Sequence, residues 1–158
     1  MKENEIAIIG GAGFVGSRLT ARFKKKNIFS NKYDIDLTNE VDRSIYLDVA
    51  DIDSLNKLAG VGTIINLAAV HRDDVRPLSL YDDVNIQGAK NVCEAACKHG
   101  VNKIIFTSSV AIYGFAPANT NESGKPNYFN DYGRTKYLAE QVYKAWQAED
   151  PKNRTLVI

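Results

Sequence analysis

Cysteine is scarce: Cys93 and Cys97 are the only two in 158 residues. Two cysteines make no disulfide framework, so a reducing compartment, the cytoplasm, is the expected location. A dominant charge is also missing. Twenty Lys and Arg face nineteen Asp and Glu, leaving a formal net charge of +1. That balance gives no reason to expect nucleic acid or an anionic membrane as a partner. Every apolar stretch is strand-length, which excludes a membrane-spanning helix. Met1 to Glu5 carries charges of both signs and leads straight into a strand pattern, without the apolar region of a secretory signal. Repeats, low-complexity segments and internal linkers are absent as well. What remains is one domain over residues 1–158 with a sizeable core.

Strand-like and helix-like segments alternate along that domain. Ile6–Ile9 is a short apolar run that stops at glycines. Phe14–Lys26 has apolar residues at helical spacing and ends in three lysines, which suit a helix C-terminus. Tyr33–Leu37 reads as a weak second strand and Ser44–Val49 as a third. Asp51–Leu58 is a short helix capped by Asp51. Thr63–Ala69 is a fourth strand, and Pro77–Lys98 a long helix closed by His99 and Gly100. Lys103–Thr107 is a fifth strand, and Ala116–Asn130, rich in Pro, Asn and Gly, a loop. Asp131–Ala148 is a helix, and Thr155–Ile158 opens a sixth strand. Strands alternating with amphipathic helices mean parallel pairing with right-handed crossovers. The expected fold is a doubly wound α/β sheet in three αβα layers, the Rossmann arrangement. Because the last strand stops as it begins, the C-terminus is expected to be a truncation point.

Gly10, Gly11, Gly13 and Gly16 lie between the first strand and the first helix. One glycine permits a tight turn, one lets backbone approach a diphosphate, and one lets helix pack on strand. The helix N-terminus then offers free N–H groups and the positive end of its dipole. Gly10, Gly13, Phe14, Val15 and Gly16 are therefore the expected cofactor contacts here. About twenty residues beyond the last glycine an acidic side chain meets the adenosine ribose. Asp36 stands at that distance, with Asp34 as the competing candidate two residues earlier. A carboxylate there favours NAD over NADP, because it repels a 2′-phosphate.

Tyr132 and Lys136 are four apart on an expected helix, so both side chains leave one face. An ammonium beside a phenol favours the phenolate, which can take a proton from an alcohol. Ser108 and Ser109 follow the fifth strand at the sheet edge where open α/β folds bind ligands. A hydroxyl there can hold the substrate oxygen against the tyrosine.

Taken together these strings resemble the NAD-dependent epimerase/dehydratase family, the extended branch of the short-chain dehydrogenases/reductases. The likeness runs from Gly-Gly-Ala-Gly-Phe-Val-Gly (Gly10–Gly16) through Asn-Leu-Ala-Ala (Asn66–Ala69) and Val-Asn-Ile-Gln-Gly (Val84–Gly88). It continues in Thr-Ser-Ser-Val-Ala-Ile-Tyr-Gly (Thr107–Gly114) and Tyr-Gly-Arg-Thr-Lys (Tyr132–Lys136). The resemblance implies Ser109 as the catalytic hydroxyl, Tyr132 as general base, and Lys136 as the nicotinamide-ribose contact that lowers the tyrosine pKa. It implies Asp48 and Val49 at the adenine, and Ala68 and Ala69 as small residues beside the cofactor. Leu67 and Thr107 are expected to contact it at the neighbouring strand ends. Asn85 resembles the helix asparagine that braces the active-site backbone. NAD is the implied cofactor and a nucleotide sugar the implied substrate. A homodimer through helices around 77–98 and 131–148 is implied too.

Departures narrow the activity. Related 4,6-dehydratases follow the catalytic hydroxyl with an Asp-Glu pair that eliminates water, whereas Val110 and Ala111 stand here and neither moves a proton. A 4-epimerase is the expected activity, with hydride removed from and returned to the sugar; a reductase or dehydrogenase of the same branch is the alternative. A cofactor-sensing module without turnover would have no reason to keep Ser109, Tyr132 and Lys136 together. The family's second lobe, which forms much of the sugar site, lies beyond the sixth strand, so this stretch alone is expected to be inactive. Val70–Arg76 is shorter than its counterpart in galactose epimerases. His71 is a candidate substrate contact, and Arg72, Asp73, Asp74 and Arg76 a solvated loop. Cys93 and Cys97 are expected to pack rather than bind metal, and His99 to meet a helix dipole. Tyr143 and Trp146 are expected to pack on the last helix.

Overall fold

Four apolar residues, Ile6–Ile9, form β1 at the middle of a six-stranded sheet. The structure is a computed structural model that describes residues 5–38 and 43–158, so the charged residues 1–4 discussed above lie outside it. Helix α1 covers Phe14–Lys25, β2 Ser30–Asp34, β3 Ile45–Tyr46 and β4 Thr63–Asn66. Helix α2 covers Ser79–Tyr81 and runs through a π-helical stretch, Asp82–Gln87, into α3, Gly88–His99. Strand β5 is Lys103–Phe106, α4 is Asp131–Glu149 and β6 is Thr155–Val157. The order is β3-β2-β1-β4-β5-β6, with every pair parallel. The chain therefore winds outward in one direction from β1 and in the other from β4, as a Rossmann sheet does. Ligands bind such sheets at the carboxyl ends of the strands, where the winding reverses.

Alternation along the strands sorts the layers. Ala7, Ile9, Ile64 and Ile104 join one core with Val92 and Ala96 of α3 and with Ala139, Tyr143 and Trp146 of α4. Ile8 and Ile65, fully or nearly buried, belong to the opposite face, and α1 packs on β1 and β2. Gly100, at φ 70°, closes α3 as a left-handed cap, its N–H donating to the carbonyls of Ala96 and Cys97.

Several boundaries differ from expectation. The second strand is Ser30–Asp34, not Tyr33–Leu37, because β1 pairs residue by residue from Ile6↔Ser30 to Ile9↔Tyr33. Register with a central strand outweighs the poor strand preference of Ser, Asn and Lys. Asp36 therefore lies beyond the strand rather than at its end. The third strand shrinks to two residues, although Leu47 and Val49 after it are buried. The fourth strand stops at Asn66, so Leu67, Ala68 and Ala69 belong to the turn at the ligand edge. The segment after Asp51 is a 3₁₀-helix, Ile52–Leu58, and Asp51 caps it by accepting from the N–H of Asp53. Val110–Tyr113 adds a 3₁₀ turn that the sequence did not reveal.

Candidate active site

The glycine turn is shaped by what a side chain would strike. A Cβ on Gly10, at φ 77°, would lie 2.8 Å from the Ala68 nitrogen and 2.9 Å from the Leu67 carbonyl carbon. On Gly16 it would collide with the Gly10 carbonyl oxygen and lie 2.6 Å from the Gly11 Cα. The ends of β1 and β4 and the start of α1 thus meet through bare backbone. Gly13 caps α1 without a side-chain bond, and the first turn of α1 carries no acidic residue. Its N–H groups and dipole are free for an anion. Phe14 and Val15 are exposed on that turn, and the Arg18 guanidinium sits 3.6 Å from the Phe14 ring centroid.

The two ribose candidates part company here. The Asp34 carboxylate accepts from the Ala12 N–H at 2.8 Å, inside the glycine turn, and from the Asp36 N–H at 3.0 Å. Asp36 is exposed, and its carboxylate accepts from the Thr38 N–H, which holds it below the usual carboxylate range. Asp34 is the carboxylate brought to the turn. Asp48 lies past β3 and accepts from the Ala50 N–H, while Val49 is buried and its carbonyl accepts from Asn91 Nδ2 at 2.8 Å.

At the other end of the crevice, polar side chains are buried and bonded. Lys136 is 2% exposed. Its Nζ donates to the Thr107 carbonyl at the end of β5 and stands 4.0 Å from the Phe106 ring centroid. Burial pushes its pKa down to about 8, against a raising influence from Glu140. The ammonium is thus held under the ligand edge of the sheet, on the helix face that Tyr132 shares one turn earlier. Tyr132 is half-buried in the first turn of α4, which Asn130 caps by accepting from the Gly133 N–H at 2.8 Å. A Cβ on Gly133 would strike the Ala111 carbonyl, so α4 begins in direct contact with the turn that follows Ser109. Ser109 Oγ accepts from the Ala111 N–H at 3.1 Å, which leaves its own proton to donate. Ser108 Oγ is buried without a partner among the described residues.

Asn85, in the π-helical stretch, clasps the backbone after β4. Its Oδ1 accepts from the Val70 N–H at 2.8 Å, and its Nδ2 donates to the Val70 carbonyl at 2.9 Å. His71 is exposed in the next loop, which Asn130 holds by donating to Asp73 at 3.1 Å and Tyr81 by donating its hydroxyl to the Arg72 carbonyl. Sequence reasoning assigned no role to Asn66, whose Nδ2 donates to the Tyr143 hydroxyl at 2.7 Å while its Oδ1 accepts from the Ala68 N–H. Its signal was a polar residue ending an apolar strand. Cys93 is buried, and burial pushes its thiol up to about 12, while Cys97 is exposed. Among the described residues no group of three or more His, Cys, Asp or Glu could hold a metal, and no helix is long and apolar enough to cross a membrane.

Comparison with known proteins adds relatives to this geometry. The chain is 44% identical to the N-acetyl-alpha-D-glucosaminyl-diphospho-ditrans,octacis-undecaprenol 4-epimerase of Escherichia coli O157:H7, over all of this chain and 48% of that protein. It is 30% identical to the UDP-glucose 4-epimerase of Rhizobium meliloti, over 91% of this chain and 47% of that one. The chain thus spans about half the length of these curated relatives. Among solved structures it is similar to MoeE5 in complex with UDP-glucuronic acid and NAD, with a TM-score of 0.87 at 24% identity, covering 96% of this chain and 52% of the other. A mutated uronate dehydrogenase gives a TM-score of 0.80 at 28% identity, covering 92% and 55%. A family model for NAD-dependent epimerases and dehydratases matches residues 6–158. The chain, a Rossmann sheet with a bare glycine turn and a Tyr-x-x-x-Lys helix at one edge, belongs to the NAD-dependent epimerase/dehydratase family.

Proposed function

We propose that this chain is the cofactor-binding and catalytic half of a 4-epimerase acting on a sugar carried by a diphosphate, in the first instance a nucleotide sugar. The observation that supports it is the buried Lys136 ammonium, fixed to the Thr107 carbonyl beside Ser109 and one helical turn from Tyr132. The residues fit the family's cofactor, NAD. The cradle at Gly10, Gly13 and Gly16 is one that a Cβ would fill, and the uncapped start of α1 meets a diphosphate. Asp34 takes the adenosine ribose in this reading in place of Asp36, because it already accepts from the turn.

When bound, NAD supplies the acceptor and donor for the hydride at the sugar C4. The protein's own groups handle the proton. Tyr132 takes it from the 4-hydroxyl through its phenolic oxygen and later gives it back. Ser109 donates to the same substrate oxygen and holds it in line. Lys136 keeps a positive charge beneath them, and at neutral pH it stays protonated because its pKa lies near 8. Val110 and Ala111, next to Ser109, add no proton-transfer group, which leaves epimerisation without dehydration.

In this reading the sugar pocket also draws on sequence matching the half of the curated relatives that this chain does not cover. A homodimer through helices around 77–98 and 131–148, in the cytoplasm, belongs to the same reading. The uronate dehydrogenase likeness favours a second reading, oxidation with release of product. The deciding experiment incubates the full-length protein with UDP-glucose, and separately with undecaprenyl-diphosphate-linked N-acetylglucosamine, without added cofactor. The 4-epimer appearing with NAD retained through purification supports the proposal. Turnover only with added NAD, giving an oxidised sugar, supports the dehydrogenase. No turnover of either substrate under any cofactor condition overturns both.

A further inference from the structure

Thr135, between the tyrosine and the lysine, is fully buried. Its hydroxyl accepts from Asn85 Nδ2 at 2.9 Å, across fifty residues of sequence. Both Asn85 Nδ2 protons are then used, one on Val70 and one on Thr135. The Thr135 proton is left for its own helix, where it goes to the Asp131 carbonyl at 2.8 Å, with the Tyr132 carbonyl at 3.2 Å as the alternative. A threonine bonding back to its helix is ordinary. A threonine that also receives a bond from another element is a link.

We propose that Thr135 is a positioning residue for Tyr132, and that the π-helical stretch exists to bring Asn85 within reach of it. The chain of bonds runs from the Val70 backbone through Asn85 and Thr135 to the peptide groups that carry Tyr132. One end is the cofactor-facing turn after β4, the other the first turn of α4. The π-helical winding widens the helix over Asp82–Gln87 and turns Asn85 between the two. A separate tie on the same helices, Arg134 donating to both Asp82 oxygens at 2.9 and 2.7 Å, does not involve Thr135. Loss of Thr135 therefore changes the aim of Tyr132 more than the fold.

This inference rests on Tyr132 being the base. The test measures kcat and KM for the sugar in the full-length protein carrying Thr135→Val, Thr135→Ser or Tyr132→Phe. Thr135→Val is expected to lower kcat about 10- to 100-fold, the loss that a displacement near 1 Å brings, with KM changed less than about threefold. Thr135→Ser restores the hydroxyl and returns kcat to within about threefold of wild type. A wild-type kcat in Thr135→Val, or an equal loss in Thr135→Ser, overturns the positioning role. Full turnover in Tyr132→Phe overturns the catalytic reading itself, and this inference with it. A second readout does not need Thr135→Val to fold. In the wild-type chain the Asn85 side-chain amide protons are expected to exchange slowly with solvent, and exchange at the rate of a free amide overturns the link.

Discussion

The two ends of the crevice are built in opposite ways. At the glycine turn the chain succeeds by omission: Gly10 and Gly16 bring strands and helix into backbone contact because a Cβ has no room. At the Lys136 end it buries polar side chains and bonds most of them, in Lys136 to Thr107, Asn85 to Val70 and Thr135, and Asn66 to Tyr143, while Ser108 Oγ has no partner among the described residues. Shape alone is rigid and tolerates no addition. A buried polar network is rigid only while each member has its partner. The first end should therefore break on enlarging a residue, and the second on deleting one atom.

Lys136→Met is the hardest test of that contrast. Turnover of the full-length protein is expected to fall about 10²- to 10³-fold, the range of a lost electrostatic stabiliser at the reacting oxygen. Stability moves the other way. Because burial lowers the Lys136 pKa from 10.5 to about 8, the folded state carries a desolvation penalty below pH 8 that is relieved as pH rises toward 10.5. Lys136→Met removes it, so the variant is expected to be about 1–3 kcal/mol more stable at pH 7 and to lose that advantage by pH 10.5. Denaturant melts at both pH values check this, and a less stable variant at pH 7 would contradict it.

Gly16→Ala tests the other end. The methyl must displace the Gly10 carbonyl and the Gly11 backbone. About 2–4 kcal/mol of stability is expected to go. NAD affinity of the chain by calorimetry is expected to fall beyond detection. Binding at wild-type strength would show that the turn is not the diphosphate site. A smaller effect separates the two aspartates: Asp34→Asn is expected to weaken NAD binding about tenfold, while Asp36→Asn changes it less than twofold. The reverse order would return the ribose to Asp36. Smallest is Tyr143→Phe, which deprives Asn66 Nδ2 of its acceptor. It is expected to cost about 1–2 kcal/mol in thermal or denaturant melts and to leave NAD affinity unchanged.

What the sequence made legible follows the same division. β1, the glycine turn and the Gly100 cap were readable because apolar runs and glycines act locally. β2 was misplaced by three residues because Ser30, Asn31 and Lys32 give no strand signal, and their place comes from pairing with β1. Asp36 matched the expected spacing, but Asp34 is the residue that stands at the strand end. The π-helical stretch leaves no mark in composition, since its residues suit an α-helix equally well. Asn66 and Tyr143 lie 77 apart, and Asn85 and Thr135 fifty, so no window of sequence shows that they bond. The tyrosine and lysine were visible from their spacing; the atoms that hold them were not.

One measurement joins both ends of the crevice. NMR of 13Cε-labelled lysine follows the Lys136 titration in this chain with and without NAD. A midpoint near 8 is expected without cofactor, with a shift in that midpoint when NAD is added and no NAD-induced shift in Gly16→Ala. NAD binding that leaves the Lys136 titration unmoved, or a Lys136 midpoint at the ordinary lysine value, would contradict it.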